Sequence, residues 1–160
     1  MKEILDVCCG SKMFYFNKRD HRVLYNDIRT IDTQLSDGRR LVIHPDTNYD
    51  FRELPFEDGQ FKLIIYDPPH LVRAGERSWL RAKYGVLPKD EDWKAYIKLG
   101  FNECWRCLSE GGTLIMKWST NQIKAKDMLE AIEMQPLLGD KRGNKRWYIF
   151  FKGGLIDDYD

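Results

Sequence analysis

Leu63-Ile64-Ile65-Tyr66-Asp67-Pro68-Pro69-His70 decides how this chain folds. The first four residues are apolar and read as a buried strand. Two successive prolines cannot continue a sheet ladder, because each lacks an N–H and has a fixed φ. The strand therefore ends at Asp67. A carboxylate and a stiff turn are left at its C-terminal end, where open α/β sheets bind ligands. The Pro68 carbonyl has no strand partner obliged to take it. Asp67 and that carbonyl can together accept two hydrogen bonds from one amino group, with the planar His70 next in line to cover a ring.

Upstream, Glu3 to Val7 reads as a first strand, followed by Cys8-Cys9-Gly10-Ser11-Lys12 and a short helix opening at Met13-Phe14-Tyr15-Phe16. A strand, a glycine turn and a helix bring backbone close to a cofactor. With one glycine and no Gly-Lys-Ser/Thr ending, the turn is not a pyrophosphate cradle. Val23 to Asp27 is a second strand ending in an acid, 17 residues after Gly10, placed to accept from ribose hydroxyls. Asp32 to Arg40 is polar and turn-like. Leu41 to His44 is a third strand stopped by Pro45, and Asp50-Phe51 follows it.

Leu71 to Pro88 lacks periodicity and carries Arg73, Arg77, Arg81 and Lys83 against the single acid Glu76, with Trp79 and Tyr84 among them. Such a loop suits either a lid or a contact to nucleic-acid phosphates and unstacked bases. Asp90-Glu91-Asp92 begins a helix running through Leu108, capped by Gly111-Gly112. Its stripe of Trp93, Tyr96, Ile97, Phe101, Cys104, Trp105 and Leu108 faces the core. Thr113 to Trp118 is the next strand, and a helix runs from about Gln122 to Glu133. Residues 135–139 and 146–152 form an antiparallel pair joined by the basic segment 140–145.

The chain of 160 residues suits one domain, 1–160, and its net charge of +1 provides no global field toward nucleic acid or membrane. No apolar run is long enough to span a bilayer, and no signal-peptide apolar region opens the chain, so a cytoplasmic location is expected. Cys8, Cys9, Cys104 and Cys107 have poor metal-ligand spacing and are expected as thiols, with no metal site.

Asp6-x-Cys8-x-Gly10-Ser11, then Asp27, Asp50-Phe51 and Asp67-Pro68-Pro69, in that order, resemble the motifs of class I S-adenosylmethionine-dependent methyltransferases. Asp-Pro-Pro-aromatic resembles the signature of amino-methyltransferases, most often adenine-N6 enzymes of DNA or RNA. The 9–14 turn, the 67–71 turn and the 114–118 strand are similar to small phage- and prophage-type members. The likeness implies a Rossmann-like three-layer fold, a mostly parallel sheet with helices on both faces and a C-terminal antiparallel hairpin. It implies that Asp6, Cys8, Cys9, Gly10, Ser11, Asp27, Ile28, Asp50, Phe51 and Asp67 hold S-adenosylmethionine. Asp27 would take the ribose, and Asp50 with Phe51 the adenine. It implies that Asp67, Pro68, Pro69 and His70 hold the acceptor amine of a nucleobase. His70 departs from the usual Tyr, Phe or Trp: imidazole stacks less area and can titrate. A methyltransferase of small molecules or proteins, and a non-catalytic subunit, stay open as alternatives. A chain of this size carries no target-recognition domain, so a separate recognition subunit or a homodimer is an expected partner.

Overall fold

A computed structural model describes residues 1–153. Its main sheet has six strands in the order β2-β1-β5-β6-β8-β7. These are β1 (Ile4–Asp6), β2 (Val23–Tyr25), β5 (Phe61–Tyr66), β6 (Leu108–Ser119), β7 (Leu138–Arg142) and β8 (Lys145–Phe151). β2, β1, β5 and β6 are mutually parallel. β8 and β7 add an antiparallel hairpin. β3 (Ile31–Gln34) and β4 (Arg40–Ile43) form a separate antiparallel pair.

Strand pleating sorts the side chains onto two faces. Leu5, Ile64, Tyr66, Leu114, Met116, Trp118 and Phe150 lie on one face, all essentially buried. Against them packs α2 (Trp93–Cys107) through Ile97, Phe101 and Cys104. Each of these large side chains contributes about 1.5–3 kcal/mol through burial. Asp92 starts the helix by accepting from the Lys94 N–H at 3.0 Å. The helix α3 (Ala125–Ile132) lies against α2, and its buried Met128 and Ile132 join the same core.

The other face carries Asp6, Ile65, Asp67, Lys117 and Trp147. No helix follows the glycine turn there, contrary to the expected one at 13–16. Lys12 sits at φ 58, and the adjacent aromatics diverge instead of sharing a helical stripe. Tyr15 packs on Tyr25 at 5.0 Å and Phe14 on Trp147 at 5.0 Å. An irregular segment thus stands where the third layer was expected.

Other boundaries differ for local reasons. Leu41–Ile43 is a strand, but it pairs with Ile31–Gln34 outside the main sheet. Near the third-strand position the sheet gains only one parallel bridge, Asn26 to Thr47. The helix α2 has no glycine cap; Leu108 passes directly into β6, and Gly111 at φ 74 falls within the irregular stretch of that strand. The C-terminal hairpin closes on a two-residue Gly143-Asn144 turn rather than a six-residue loop. The 71–88 segment holds one short helix, α1 (Trp79–Tyr84). Cys104 and Cys107 are free and buried on the core side of α2. Among the described residues no helix is long and apolar enough to cross a membrane, and no group of His, Cys, Asp or Glu is placed to hold a metal ion.

Candidate active site

Three carboxylates gather at the C-terminal ends of β1, β2 and β5, and each has a different degree of satisfaction. Asp27 is saturated. Its Oδ2 accepts the Gly10 N–H at 2.9 Å, which ties the glycine turn to the end of β2. Arg29 takes the rest: its backbone N–H and Nε donate to Oδ1, and Nη2 donates to Oδ2 at 3.2 Å. Arg29 also donates to the Ala82 carbonyl of α1 at 3.1 Å. Next to it, Asn26 is fully buried and uses its whole amide. It donates to Val7 and Tyr49 and accepts from Thr47 and the Tyr49 N–H, locking the strand ends together.

Asp6 is the opposite case. Its Oδ1 accepts the Cys8 N–H at 3.3 Å, but Oδ2 is buried with no partner. The Tyr15 hydroxyl beside it likewise has no partner in hydrogen-bond geometry, yet it lies near enough to favour the ionised carboxylate. Burial pushes the Asp6 carboxyl up to about 7, with the Tyr15 hydroxyl working against that and the nearby Asp67 charge adding to it. Asp67 is also raised by desolvation, to about 6, while Lys117 and Arg29 pull it down.

Gly10 at φ 50 has nothing within 4 Å of where a Cβ would stand, so the turn is open on that side. Cys8, Gly10, Ser11, Asp67, Pro68 and His70 line one cavity. The glycine turn and the Asp-Pro-Pro turn therefore share a site, as their places on neighbouring parallel strands require. That cavity measures only about 40 Å³, closed on other sides by Phe14, Arg29, Tyr84 and Lys117. A second cavity of about 100 Å³ lies beyond it, lined by Asp67, His70, Tyr84, Lys117, Ser119, Asn121 and Asn144. The side chains of Asp67, His70, Tyr84 and Lys117 thus stand between the two spaces.

His70 is buried beside Tyr84 at 5.4 Å and Trp118 at 6.2 Å. Burial and Lys117 depress its pKa to about 4, against a small opposing effect of the Pro68 carbonyl. At neutral pH it is an uncharged planar ring. The chain returns beside the Pro69 ring at Gly85, whose φ of 73 is a conformation that glycine adopts without strain.

Not every expected site residue joins this group. Phe51 is a core residue, packed edge-on against Tyr66 at 5.5 Å and Tyr96 at 5.0 Å. A Cβ on Gly100 would lie 2.3 Å from its ring, so α2 clamps it. The ring on which the adenine contact was expected is thus already enclosed by the core. Asp50 is paired through two nitrogens of Arg52, which also reaches Glu91 at 2.6 Å. Ile28, in contrast, is 58% exposed beside Asp27. Cys9 does both: it packs against Val23 and Tyr25 and also lines the small cavity at the glycine turn.

Three residues at the site were not anticipated: Tyr15, Lys117 and Arg29. Lys117 was detectable as the single charge in the apolar run Leu114 to Trp118. Arg29 belongs to a recurring Asp-x-Arg turn found at 20–22, 27–29, 37–39 and 50–52, in which the arginine backbone N–H bonds the aspartate. That repeat predicts which aspartates arrive already paired.

No family model and no curated protein matches this chain. Among solved structures it is similar to the PH0226 protein of Pyrococcus horikoshii OT3, with TM-score 0.54 and 16% identity over 93% of this chain and 81% of that one. It is also similar to a SAM-dependent methyltransferase of Leishmania major, with TM-score 0.52 and 10% identity over 91% of this chain and 63% of that one. At these identities the likeness defines the fold: a Rossmann-like, mostly parallel mixed sheet of the methyltransferase type.

Proposed function

We propose that the protein is an S-adenosylmethionine-dependent methyltransferase acting on an exocyclic amino group of a nucleobase, adenine-N6-like, in DNA or RNA. The observation that carries this reading is the position of Asp67 and its neighbours between two cavities, one against the glycine turn and one toward Ser119, Asn121 and Asn144. Methyl transfer needs that layout, a donor on one side and an acceptor on the other.

The residues fit the cofactor at one telling point. Asp6 accepts the Cys8 N–H at the start of the glycine turn and keeps a buried Oδ2 without a partner, an acceptor for the donor's ammonium once the turn admits it. Asp27 holds the turn, and because the cavity there is about 40 Å³, seating the donor and its ribose requires displacing Arg29, which closes it. Ile28 provides the exposed apolar surface beside it. Bound there, S-adenosylmethionine supplies an electrophilic methyl on a positive sulfur.

The protein's own work lies on the acceptor side. A nucleobase amine is a weak nucleophile because its lone pair is delocalised into the ring. One N–H donates to Asp67 and the other to Pro68, whose carbonyl keeps a second lone pair beside His70. Two such bonds favour a pyramidal nitrogen with its lone pair directed through the partition. The Asp67 carboxylate also stabilises the positive charge that the nitrogen gains and accepts the proton it then loses. Alignment adds several kcal/mol more. Neutral His70 and Tyr84 provide planar surfaces for the base, which must be flipped out of any duplex.

The test is transfer of a labelled methyl group to mixed DNA and RNA, followed by digestion to nucleosides. Wild type is expected to label an amino-modified nucleoside, and Asp67→Ala to lose about 100-fold or more. Absence of transfer, or equal transfer by the variant, overturns the reading.

A further inference from the structure

On the far side of the glycine turn lies a larger cleft of about 580 Å³, within the size range of ligand sites. Its walls are the 10–19 segment and the β3–β4 hairpin. Of its thirteen lining residues six are Lys12, Lys18, Arg19, Arg39, Arg40 and Lys83, and none is acidic. In a chain with 26 basic and 25 acidic residues, equal mixing would place about as many acids there as bases. Arg39 and Arg40 are paired with Asp37 and Asp32. Among the described residues Lys18, Arg19 and Lys83 have no acid within ion-pair distance. At the rim Trp79 is 37% exposed, with the Arg39 guanidinium 5.5 Å and the Lys83 ammonium 5.9 Å from its ring centre.

The cleft cannot suit the methyl donor. S-adenosylmethionine carries a sulfonium, an ammonium and one carboxylate, a net positive charge that the unpaired Lys18, Arg19 and Lys83 repel. The acids Asp6, Asp27 and Asp67 sit on the other side of the same turn. The small cavity mixes charges, with Asp67 beside Arg29, Lys83 and Lys117, whereas the larger cleft has no acid in its lining, which suits it to a polyanion.

Building on the reading above, we infer that this cleft, between the glycine turn and the β3–β4 hairpin, seats the phosphodiester backbone of a single-stranded stretch of the nucleic-acid acceptor, with an unstacked base against Trp79. Lys83 lines both this cleft and the cavity at Asp67, so a strand held here leads directly to the acceptor amine. Of the basic residues in the 71–88 segment only Lys83 lines the cleft; the hairpin and the 12–19 segment contribute the others. Phosphates supply affinity, and a stacked aromatic supplies sequence-tolerant grip.

The experiment measures binding of a fluorescein-labelled single-stranded twelve-mer by anisotropy across salt concentrations, with no cofactor present. Each lost phosphate contact flattens the log–log salt slope by about 0.7. Lys18→Gln with Arg19→Gln, both exposed, should flatten it by about 1.4 and weaken binding about 25-fold at 0.1 M salt. Lys141→Gln with Arg142→Gln, the same charge change on the C-terminal hairpin, should leave both unchanged. Loss in the second pair but not the first, or no binding by wild type, overturns the assignment. So does binding of phosphatidylserine vesicles in place of the oligonucleotide through Lys18 and Arg19. Binding that depends on Lys18 and Arg19 in a protein that transfers no methyl group supports the cleft and defeats the catalytic reading.

Discussion

Replacing Asp6 by asparagine should stabilise the protein while disabling cofactor binding, and the gain should depend on pH. The folded carboxyl titrates at about 7 against 3.8 in a free chain. The folded state therefore holds its proton more tightly. The associated stability is complete below about pH 4 and is lost as pH rises through 7. Between pH 4.5 and 8 the wild type should lose about 3 kcal/mol at this residue, because each tenfold preference for the folded state's proton is worth about 1.4 kcal/mol. Asparagine does not titrate, keeps an acceptor for the Cys8 N–H, and offers an amide to the unpartnered Tyr15 hydroxyl. Urea unfolding of both proteins at pH 4.5 and 8 measures the difference. The variant should overtake the wild type progressively as pH rises. Saturating S-adenosylmethionine should narrow the gap at pH 8 by supplying the wild type with a cation. Stability curves that stay parallel from pH 4.5 to 8 would refute the claim that this carboxylate is buried without compensation.

Two other outcomes follow from the site. With the Asp67 carboxyl at about 6 and its ionised form needed to accept the amine proton, the single-turnover methyl-transfer rate should rise about tenfold for each step of one in pH below 6 and level off above it. That limb should vanish in Asp67→Asn. Phe51→Ala should cost about 3–5 kcal/mol of folding stability, as for a buried aromatic, with little change in cofactor affinity measured by calorimetry at a temperature where the variant is folded. A loss confined to cofactor affinity would return Phe51 to the adenine.

How much of this was legible depends on whether a local pattern or a distant partner decided each element. The β5 strand and its Asp-Pro-Pro turn were legible because apolar run and proline punctuation are both local. The placement of Asp6, Asp27 and Asp67 followed from the same logic of parallel strand ends. β3 was not legible: Asp32, Thr33 and Gln34 are exposed, and the strand shows no alternation. Its pairing rests on β4 and on the cross-strand Arg40 to Asp32 bond. The core packing of Phe51 was not legible, because an aromatic after an acid reads the same in a core or a pocket. The deciding residue, Gly100, lies 49 positions away in α2. The cleft was invisible because its cations come from three separated segments, each unremarkable in charge alone.

The three strand-end carboxylates show how the fold separates structural from chemical duty. Asp27 accepts four donors and has no free acceptor capacity until Arg29 moves. Its charge is fully used in fixing the turn, which is why it can be buried. Asp6 and Asp67 retain unused lone pairs, and burial raises both. A buried carboxylate lacking donors is costly, and a sequence selected for stability alone would replace it. Asp6, with its buried Oδ2 unpartnered, and the half-buried Asp67 therefore mark the places where a donor from outside the chain is expected: a cationic one at Asp6 and an N–H at Asp67. The basic cleft beyond the turn would be equally wasteful without a polyanion, because Lys18, Arg19 and Lys83 repel one another across it. On the proposed reading each of these local costs is relieved by a different part of one reaction complex, with the Gly10 turn and Lys83 bordering both spaces.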